Sequence, residues 1–171
     1  MPSSANGKDP APKGITAVIE SSKERAALIV ADVEAALQNG RHPVVIVERI
    51  IPESPLSRGL KKMHCLSLDD HMKKKDQKAI LEKLCSQNGN ASVVMVTRSY
   101  LELESLSNLQ VDTLLLAAPL SWNGVLSRYV KGLCRQHECG ALAIYDYVDH
   151  LIPWAQKKAR NSIEGLSQPW L

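Results

Sequence analysis

The stretch SSKERAALIVADVEAALQNGRHPVVIV, residues 21–47, is the most informative part of the chain for the fold class. Residues 21–24 have the S-x-x-E form of a capping box, and apolar residues then recur at spacings of three and four over residues 26–37. This pattern predicts an amphipathic helix. Gly40 is placed to end that helix in the left-handed conformation. The β-branched run at residues 43–47 predicts a buried strand of a parallel sheet.

The same alternation of helix and strand continues along the rest of the chain. Short apolar runs predict further strands at residues 63–68, 92–97, 112–117 and 141–145. Apolar residues at helical spacing predict helices at residues 74–87, 123–137 and 152–166. Two prolines and a glycine favour a loop or a broken helix at residues 50–59, and residues 100–110 fit neither pattern. Together these elements predict an α/β fold, a three-layer sandwich with a mainly parallel sheet.

Length and composition are those of one globular domain with an aliphatic core. The chain has 171 residues, a net charge of +3 and no phenylalanine, which permits contact with nucleic acid but does not require it. No apolar run is long enough to span a bilayer, and residues 1–14 lack the apolar segment of a secretory signal. We therefore expect a cytoplasmic protein with a disordered leader at residues 1–14, one domain at residues 15–166 and a short tail at residues 167–171.

The cysteines and histidines do not form a metal-binding pattern. Cys134 and Cys139 are separated by four residues, and no second ligand pair follows at zinc-finger spacing. The five histidines are scattered along the chain. We expect the four cysteines to be free thiols, and we predict no metal ion and no other cofactor.

Several segments together resemble one family of motor domains. The most specific are residues 112–122, DTLLLAAPLSW, and residues 144–149, IYDYVD, and the turn and strand at residues 40–49, GRHPVVIVER, add to them. They resemble the C-terminal, second RecA-like domain of a bacterial branch of DEAD/DEAH-type superfamily 2 helicases. The resemblance covers residues 15–166 and implies a RecA-like helicase C-terminal-type domain.

The chain departs from that family where the family hydrolyses ATP. Such helicases bind ATP between two RecA-like domains, and the first domain supplies a G-x-x-x-x-G-K-[ST] loop that is absent from this sequence. The resemblance also implies a Gly-Glu-Gly loop, for which the nearest counterpart is Leu103, Glu104 and Ser105, without either glycine. Asp69 and Asp70 look like an acidic pair for Mg²⁺, but a solvated turn is the preferred interpretation.

The resemblance further implies a helix with the pattern Gln-x-x-Gly-Arg-x-x-Arg, whose arginines reach the γ-phosphate. Arg128 stands in place of the glutamine, Lys131 in place of the glycine and Gly132 in place of the inner arginine. Arg135 matches the outer arginine, and it is therefore the one candidate for contact with a nucleotide. Because an arginine finger contributes about 10³–10⁵ in rate, its loss argues against ATP turnover by this chain.

Two groups of basic residues are candidates for binding nucleic-acid phosphates. Arg128, Lys131 and Arg135 lie at i, i+3 and i+7, so they form one stripe on the predicted helix. The second group surrounds the start of another predicted helix and consists of Lys73, Lys74, Lys75 and Lys78. Such residues bind the backbone of DNA or RNA without reading its sequence. The alternative interpretation is an ordinary solvated helix face.

These observations favour a non-catalytic, helicase-derived module that binds nucleic acid or a partner protein and has no ATPase activity of its own. The alternative is one half of a split superfamily 2 helicase, which would complete an ATPase site with a separate chain carrying the phosphate-binding loop. A third hypothesis is a folded remnant without an activity of its own.

Overall fold

The computed structural model describes residues 14–86, 92–103, 109–118, 127–131 and 142–147. The strands in these residues are β1 (Pro43–Val47), β2 (Leu66–Leu68), β3 (Val94–Thr97), β4 (Thr113–Leu116) and β5 (Ala143–Asp146). The helices are α1 (Ile15–Ser21), α2 (Lys23–Gln38), α3 (Pro55–Lys61), α4 (Lys74–Ser86) and α5 (Arg98–Leu103). Residues 127–131 are also helical. The predicted helix at residues 152–166, the leader up to residue 13 and the tail lie outside the described residues.

The five strands form one sheet in the order β2-β3-β1-β4-β5, and every pairing is parallel. β1 lies at the centre, where Val45 is in register with Met95 of β3 and with Leu115 of β4. From β1 the chain runs to β2 at one edge of the sheet, returns to β3 beside β1, and then crosses to β4 and β5 on the other side. The predicted α/β class and parallel sheet are confirmed.

The two faces of the sheet are covered by different helices. Because side chains alternate along a strand, Val45 and Val47 of β1 pack on one face with Ile29 of α2 and Leu60 of α3. Val44 and Ile46 pack on the other face, where the cluster also contains Tyr100 of α5 and Val130 and is joined by apolar side chains of α4. The result is the three-layer sandwich that the sequence predicts. The layer with α2 and α3 is called the α2 layer below, and the opposite one the α4 layer.

The ends of α2 follow from local hydrogen bonding. The N-cap is Ser22, whose hydroxyl accepts a hydrogen bond from the Arg25 amide at 3.2 Å. Ser21 instead ends α1, so the N-cap lies one residue later than residues 21–24 suggest, and the predicted capping box is wrong because Arg25, not a glutamate, stands three residues after the cap. Gly40 has φ +69°, and Arg41 N donates to the Ala36 carbonyl at 2.9 Å. The predicted left-handed glycine at the end of the helix is therefore confirmed.

The structure decides between the alternatives that the sequence left open in two irregular segments. Residues 50–54 are a loop, and α3 then begins at Pro55 with Ser54 as its N-cap, since proline is well tolerated in the first turn of a helix. The first part of residues 100–110 is helical and belongs to α5. No helix among the described residues is both long and apolar enough to cross a membrane.

Asp112 joins the start of β4 to the start of β1. Its carboxylate accepts hydrogen bonds from His42 N at 2.8 Å and from the Thr113 hydroxyl at 3.0 Å, and Arg41 lies 3.7 Å away. Burial alone raises the pKa of Asp112, but the backbone hydrogen bond, the hydroxyl and the charges of Arg41 and His42 outweigh it. The pKa of Asp112 therefore lies below its ordinary value.

The lowered pKa predicts a pH-dependent contribution to stability. A carboxyl whose pKa is depressed on folding stabilises the native state above its unfolded pKa, about 3.9, and this contribution is lost as pH falls through the folded pKa. We expect Asp112→Asn to lower the free energy of unfolding by about 1–2 kcal/mol at pH 7. Urea unfolding should show that the difference in the free energy of unfolding between the unmodified chain and Asp112→Asn is smaller at pH 3 than at pH 7. Glu34→Gln, at an exposed position of α2, is the control. If Asp112→Asn lowered the free energy of unfolding equally at pH 3 and pH 7, the carboxylate of Asp112 would not be the source of the stability.

Candidate functional site

A cleft opens at the carboxyl ends of the neighbouring strands β1 and β4. From β1 the chain continues to the strands on one side of the sheet, and from β4 it continues to β5 on the other side, so the direction of strand order switches between these two strands. In open parallel sheets, ligands bind in the crevice outside the strands at this position. The cleft lies between Val47 at the end of β1 and Ala117 just after β4, and it encloses about 530 Å³ of open space with its mouth included. The first turns of α2 and α3 form its other walls. We call it the switch-point cleft.

The floor of the switch-point cleft is apolar. Ala26, Ile29, Val47, Met95 and Ala117 line it, and each exposes 7% of its surface or less. They come from α2, from the neighbouring strands β1 and β3, and from the residue after β4. These side chains meet only because the strand order places β3, β1 and β4 side by side.

The rim of the cleft carries charges of both signs. Arg49 forms an ion pair with Glu20, with Nη2 2.7 Å from Oε2. The Glu20 hydrogen bond, followed by its negative charge, raises the pKa of Arg49 above its ordinary value. Glu48 pairs with Arg98 of α5 at 3.0 Å. The acidic side chains of the rim therefore hold arginines at fixed positions.

Arg25 lies at the inner end of the cleft and ties α2 to the sheet. Its Nη2 donates to the Ala117 carbonyl at 2.8 Å, and its guanidinium lies 6.0 Å from the ring centre of Tyr147. Tyr147 in turn donates to Asp32 Oδ2 at 2.6 Å. Burial, followed by the hydrogen bond and charge of Asp32, raises the pKa of Tyr147, so the phenol stays protonated and continues to donate. These contacts fix α2 over the ends of β4 and β5.

The lysines predicted to bind phosphate lie around the N-terminus of α4. Lys73, Lys74, Lys75 and Lys78 are all exposed. The helix is anchored beneath them by the buried Gln77, whose side-chain amide donates to the carbonyls of Asp69 at 2.9 Å and Met72 at 3.2 Å. Lys78 also lies 3.8 Å from Glu82, an exposed pair that contributes little to stability.

The basic stripe is described only in part. Arg128 and Lys131 are exposed on the helical residues 127–131, whereas Val130 between them is buried in the α4 layer. Arg135, the candidate for nucleotide contact, lies outside the described residues, as do Gly132 and most of the predicted Gly-Glu-Gly counterpart.

The acidic pair forms part of a turn. Asp69 accepts a hydrogen bond from the His71 amide at 3.0 Å, and the Thr97 hydroxyl donates to Asp70 at 3.5 Å. The pKa of Asp70 is lowered, and the largest cause is a side-chain hydrogen bond with Asp69. The carboxylates of this turn therefore complete local hydrogen bonds between β2 and α4, as expected for the solvated turn. Among the described cysteines, Cys65 and Cys85 are free thiols.

Sequence reasoning did not identify the switch-point cleft. Its residues are spread from Ile19 to Ala118, and those that lie in the segments of family resemblance, residues 47–49 and 117–118, were assigned no chemical role. The one usable signal was the pair Glu48 and Arg49, two charged residues directly after a buried strand. Residues at the carboxyl end of a central parallel strand are candidates for a site.

Comparison with known proteins supports the fold. The crystal structure of the C-terminal part of the Fun30 ATPase domain is similar, with a TM-score of 0.61 and 11% sequence identity. The match covers 81% of this chain and 44% of that chain, so this chain spans less than half the length of the structure it matches. No protein-family model matches the sequence, and no curated protein matches it. The predicted RecA-like helicase fold is thus confirmed, while the bacterial branch stays a prediction.

Proposed function

We propose that this chain is a non-catalytic, helicase-derived module that binds the backbone of nucleic acid. Its fold is that of a RecA-like helicase domain, and its sequence contains no phosphate-binding loop. The observation that carries the proposal is that the described members of both basic groups are exposed on one layer of the sandwich. Lys73, Lys74, Lys75 and Lys78 lie at the start of α4, and Arg128 and Lys131 lie on residues 127–131. Both helical segments pack on the same face of the sheet.

The spacing of the two groups suits a phosphate backbone. α4 connects β2 to β3, and residues 127–131 lie between β4 and β5, so the two segments are three strand positions apart in the sheet order. Strands lie about 4.8 Å apart, which places the segments about 14 Å from one another along the sheet. One DNA strand carries a phosphate every 3.4 Å of helix axis, so roughly four phosphates span that distance.

The charge distribution favours this layer over the cleft. Residues 73–78 contain four lysines and one acidic residue, Asp76. At the cleft, by contrast, Arg49 and Arg98 already lie against Glu20 and Glu48. A phosphate at the cleft would have to approach those carboxylates. A phosphate at the start of α4 meets four lysines, against Asp76 and the two aspartates of the preceding turn, and the favourable end of the helix dipole.

A binding titration tests the proposal. Fluorescence anisotropy with labelled single- and double-stranded DNA and RNA should give dissociation constants of about 10⁻⁶–10⁻⁴ M near physiological salt. The affinity should be independent of sequence and should fall steeply as salt rises. Absence of binding at low salt would end the nucleic-acid proposal and leave a protein partner as the function of this layer.

One half of a split helicase is the second candidate, because the similar solved structure is described as part of an ATPase domain. In that case a separate chain would carry the phosphate-binding loop, and Arg135 would supply the remaining arginine. ATPase activity should then appear only when such a chain is added, and Arg135→Ala should lower it by about 10³-fold or more. Equal activity with and without Arg135 would count against that role.

A further inference from the structure

Helix α2 exposes a continuous apolar face on the side turned away from the sheet. Its inner side packs against the core through four buried apolar residues, Ala26, Ile29, Val33 and Ala36. On its outer side, Leu28 is 55% exposed. Three exposed alanines lie beside it at helical spacing, Ala27, Ala31 and Ala35. Because a surface helix is normally polar on its outer side, a contiguous apolar face there is typical of a protein–protein contact.

Two opposite charges flank the outer face of α2 near its two ends. Lys23 is the first residue of α2, Glu34 lies near its C-terminal end, and both are exposed. They are eleven residues apart, which is about three turns of helix. Both side chains therefore lie on the same side of the apolar face, about 16 Å apart along the helix. Within the part of the chain that the structure describes, neither takes part in an ion pair, so both can pair with a partner.

We propose that the outer face of α2 binds the same face of a second copy of this chain, with the two helices antiparallel. In such a two-fold contact every pair of residues meets twice, once in each direction. With the two-fold axis midway between Leu28 and Ala31, the leucine of each copy lies over the alanine of the other. Lys23 of each copy then lies within two residues, about 3 Å along the helix, of Glu34 of the other.

The charges favour a second copy in this orientation. In a parallel pair each residue would face its own counterpart, so lysine would meet lysine and glutamate would meet glutamate, and like charges repel. The antiparallel pair instead forms two Lys23–Glu34 ion pairs and places a large side chain opposite a small one, which packs without a void. α2 and α4 cover opposite faces of the sheet, so the basic residues of the α4 layer stay accessible in the dimer. Dimerisation and nucleic-acid binding are therefore separate properties of the chain.

Sedimentation equilibrium of the whole chain tests whether the dimer forms. One face of a single helix is smaller than the roughly 800 Å² per partner of a stable interface, so we expect a dissociation constant on the order of 10⁻⁴ M. Between about 5 and about 500 µM of chain, the mean mass should rise from 18.8 kDa toward twice that value.

Exchanging the two charges identifies the interface. Lys23→Glu and Glu34→Lys should each weaken dimerisation by at least about tenfold, because each turns two ion pairs into two repulsions. The double variant restores both pairs with reversed polarity and should dimerise as the unmodified chain does, a recovery that a folding defect would not produce. Lys83→Glu, the same change of charge at an exposed position of α4, is the matched control and should have no effect.

Leu28→Asp tests the apolar part of the contact. This variant should stay monomeric over the whole concentration range, because each copy would bring an unpaired carboxylate into the interface. Its circular dichroism at about 5 µM, where the unmodified chain is also monomeric, should match that of the unmodified chain. An unmodified chain that stays monomeric at about 500 µM would overturn the proposal, as would a double charge variant that dimerises as weakly as the single ones. A dimer that persists in Leu28→Asp would also overturn it, because the contact would then lie elsewhere.

Discussion

Replacing Lys73, Lys75 and Lys78 with glutamine is expected to weaken nucleic-acid binding by roughly 30-fold or more at low salt, because three phosphates are no longer neutralised. The plot of log affinity against log salt should become shallower by about 2 to 3 units, because about 0.7–0.9 counterions are released per neutralised phosphate. Stability should change little, since these side chains are exposed. Anisotropy titrations at several salt concentrations measure both effects.

The matched control removes the same charge from the opposite side of the molecule. Lys23, Lys61 and Lys62 are exposed on helices of the α2 layer or directly after one of them. Substituting these three with glutamine also lowers the net charge from +3 to zero. If both triple variants lose affinity equally, binding depends only on net charge and the α4 layer is not the interface.

Leu115→Ala is expected to lower the free energy of unfolding by about 2–5 kcal/mol. Leu115 has no exposed surface and lies in the middle of β4, paired with Val45 on one side and Tyr145 on the other. Its side chain belongs to the cluster that joins the sheet to α2 and α3. Truncation leaves a cavity that the surrounding strands can fill only partly. Urea unfolding followed by circular dichroism measures the loss.

Leu28→Ala is the control for that experiment. It removes the same atoms from a leucine that is 55% exposed on α2, so the free energy of unfolding should change by no more than about 0.5 kcal/mol. A large loss in both variants would mean that Leu28 is covered in solution. A small loss in Leu115→Ala would mean that the core between the sheet and α2 is less tightly packed than it is in this structure.

The errors of the sequence interpretation have local physical causes. Ser21 and Ser22 are adjacent and both can cap a helix, and only the extended backbone of Ser22 (φ −67°, ψ 114°) makes it the cap. Residues 50–59 look like a loop or a broken helix because they contain two prolines and Gly59, and a glycine inside a helix is destabilising. In the structure, a Cβ atom at Gly59 would lie 2.6 Å from a methyl group of Val30. This glycine therefore allows α3 to approach α2 closely, which no local pattern reveals.

The candidate sites were predictable to different degrees. The two basic groups follow from spacing, and the structure shows that their described members are exposed, but whether they bind phosphate stays a prediction. The switch-point cleft could not be predicted, because its residues come from distant parts of the chain, such as Arg25 and Ala117, which are joined by a 2.8 Å hydrogen bond.

The sequence by itself determined the five strands, the helices α2 and α4, and the class of fold that they build. That information is local: β-branched runs such as residues 43–47, helical spacing over residues 26–37 and a glycine such as Gly40 act within a few residues of chain. Only the tertiary structure decided the order β2-β3-β1-β4-β5 and, with it, the cleft at the ends of β1 and β4. Strand order depends on which buried faces pack together across the whole chain, and the three central strands, β1, β3 and β4, present nearly the same fully buried apolar pattern.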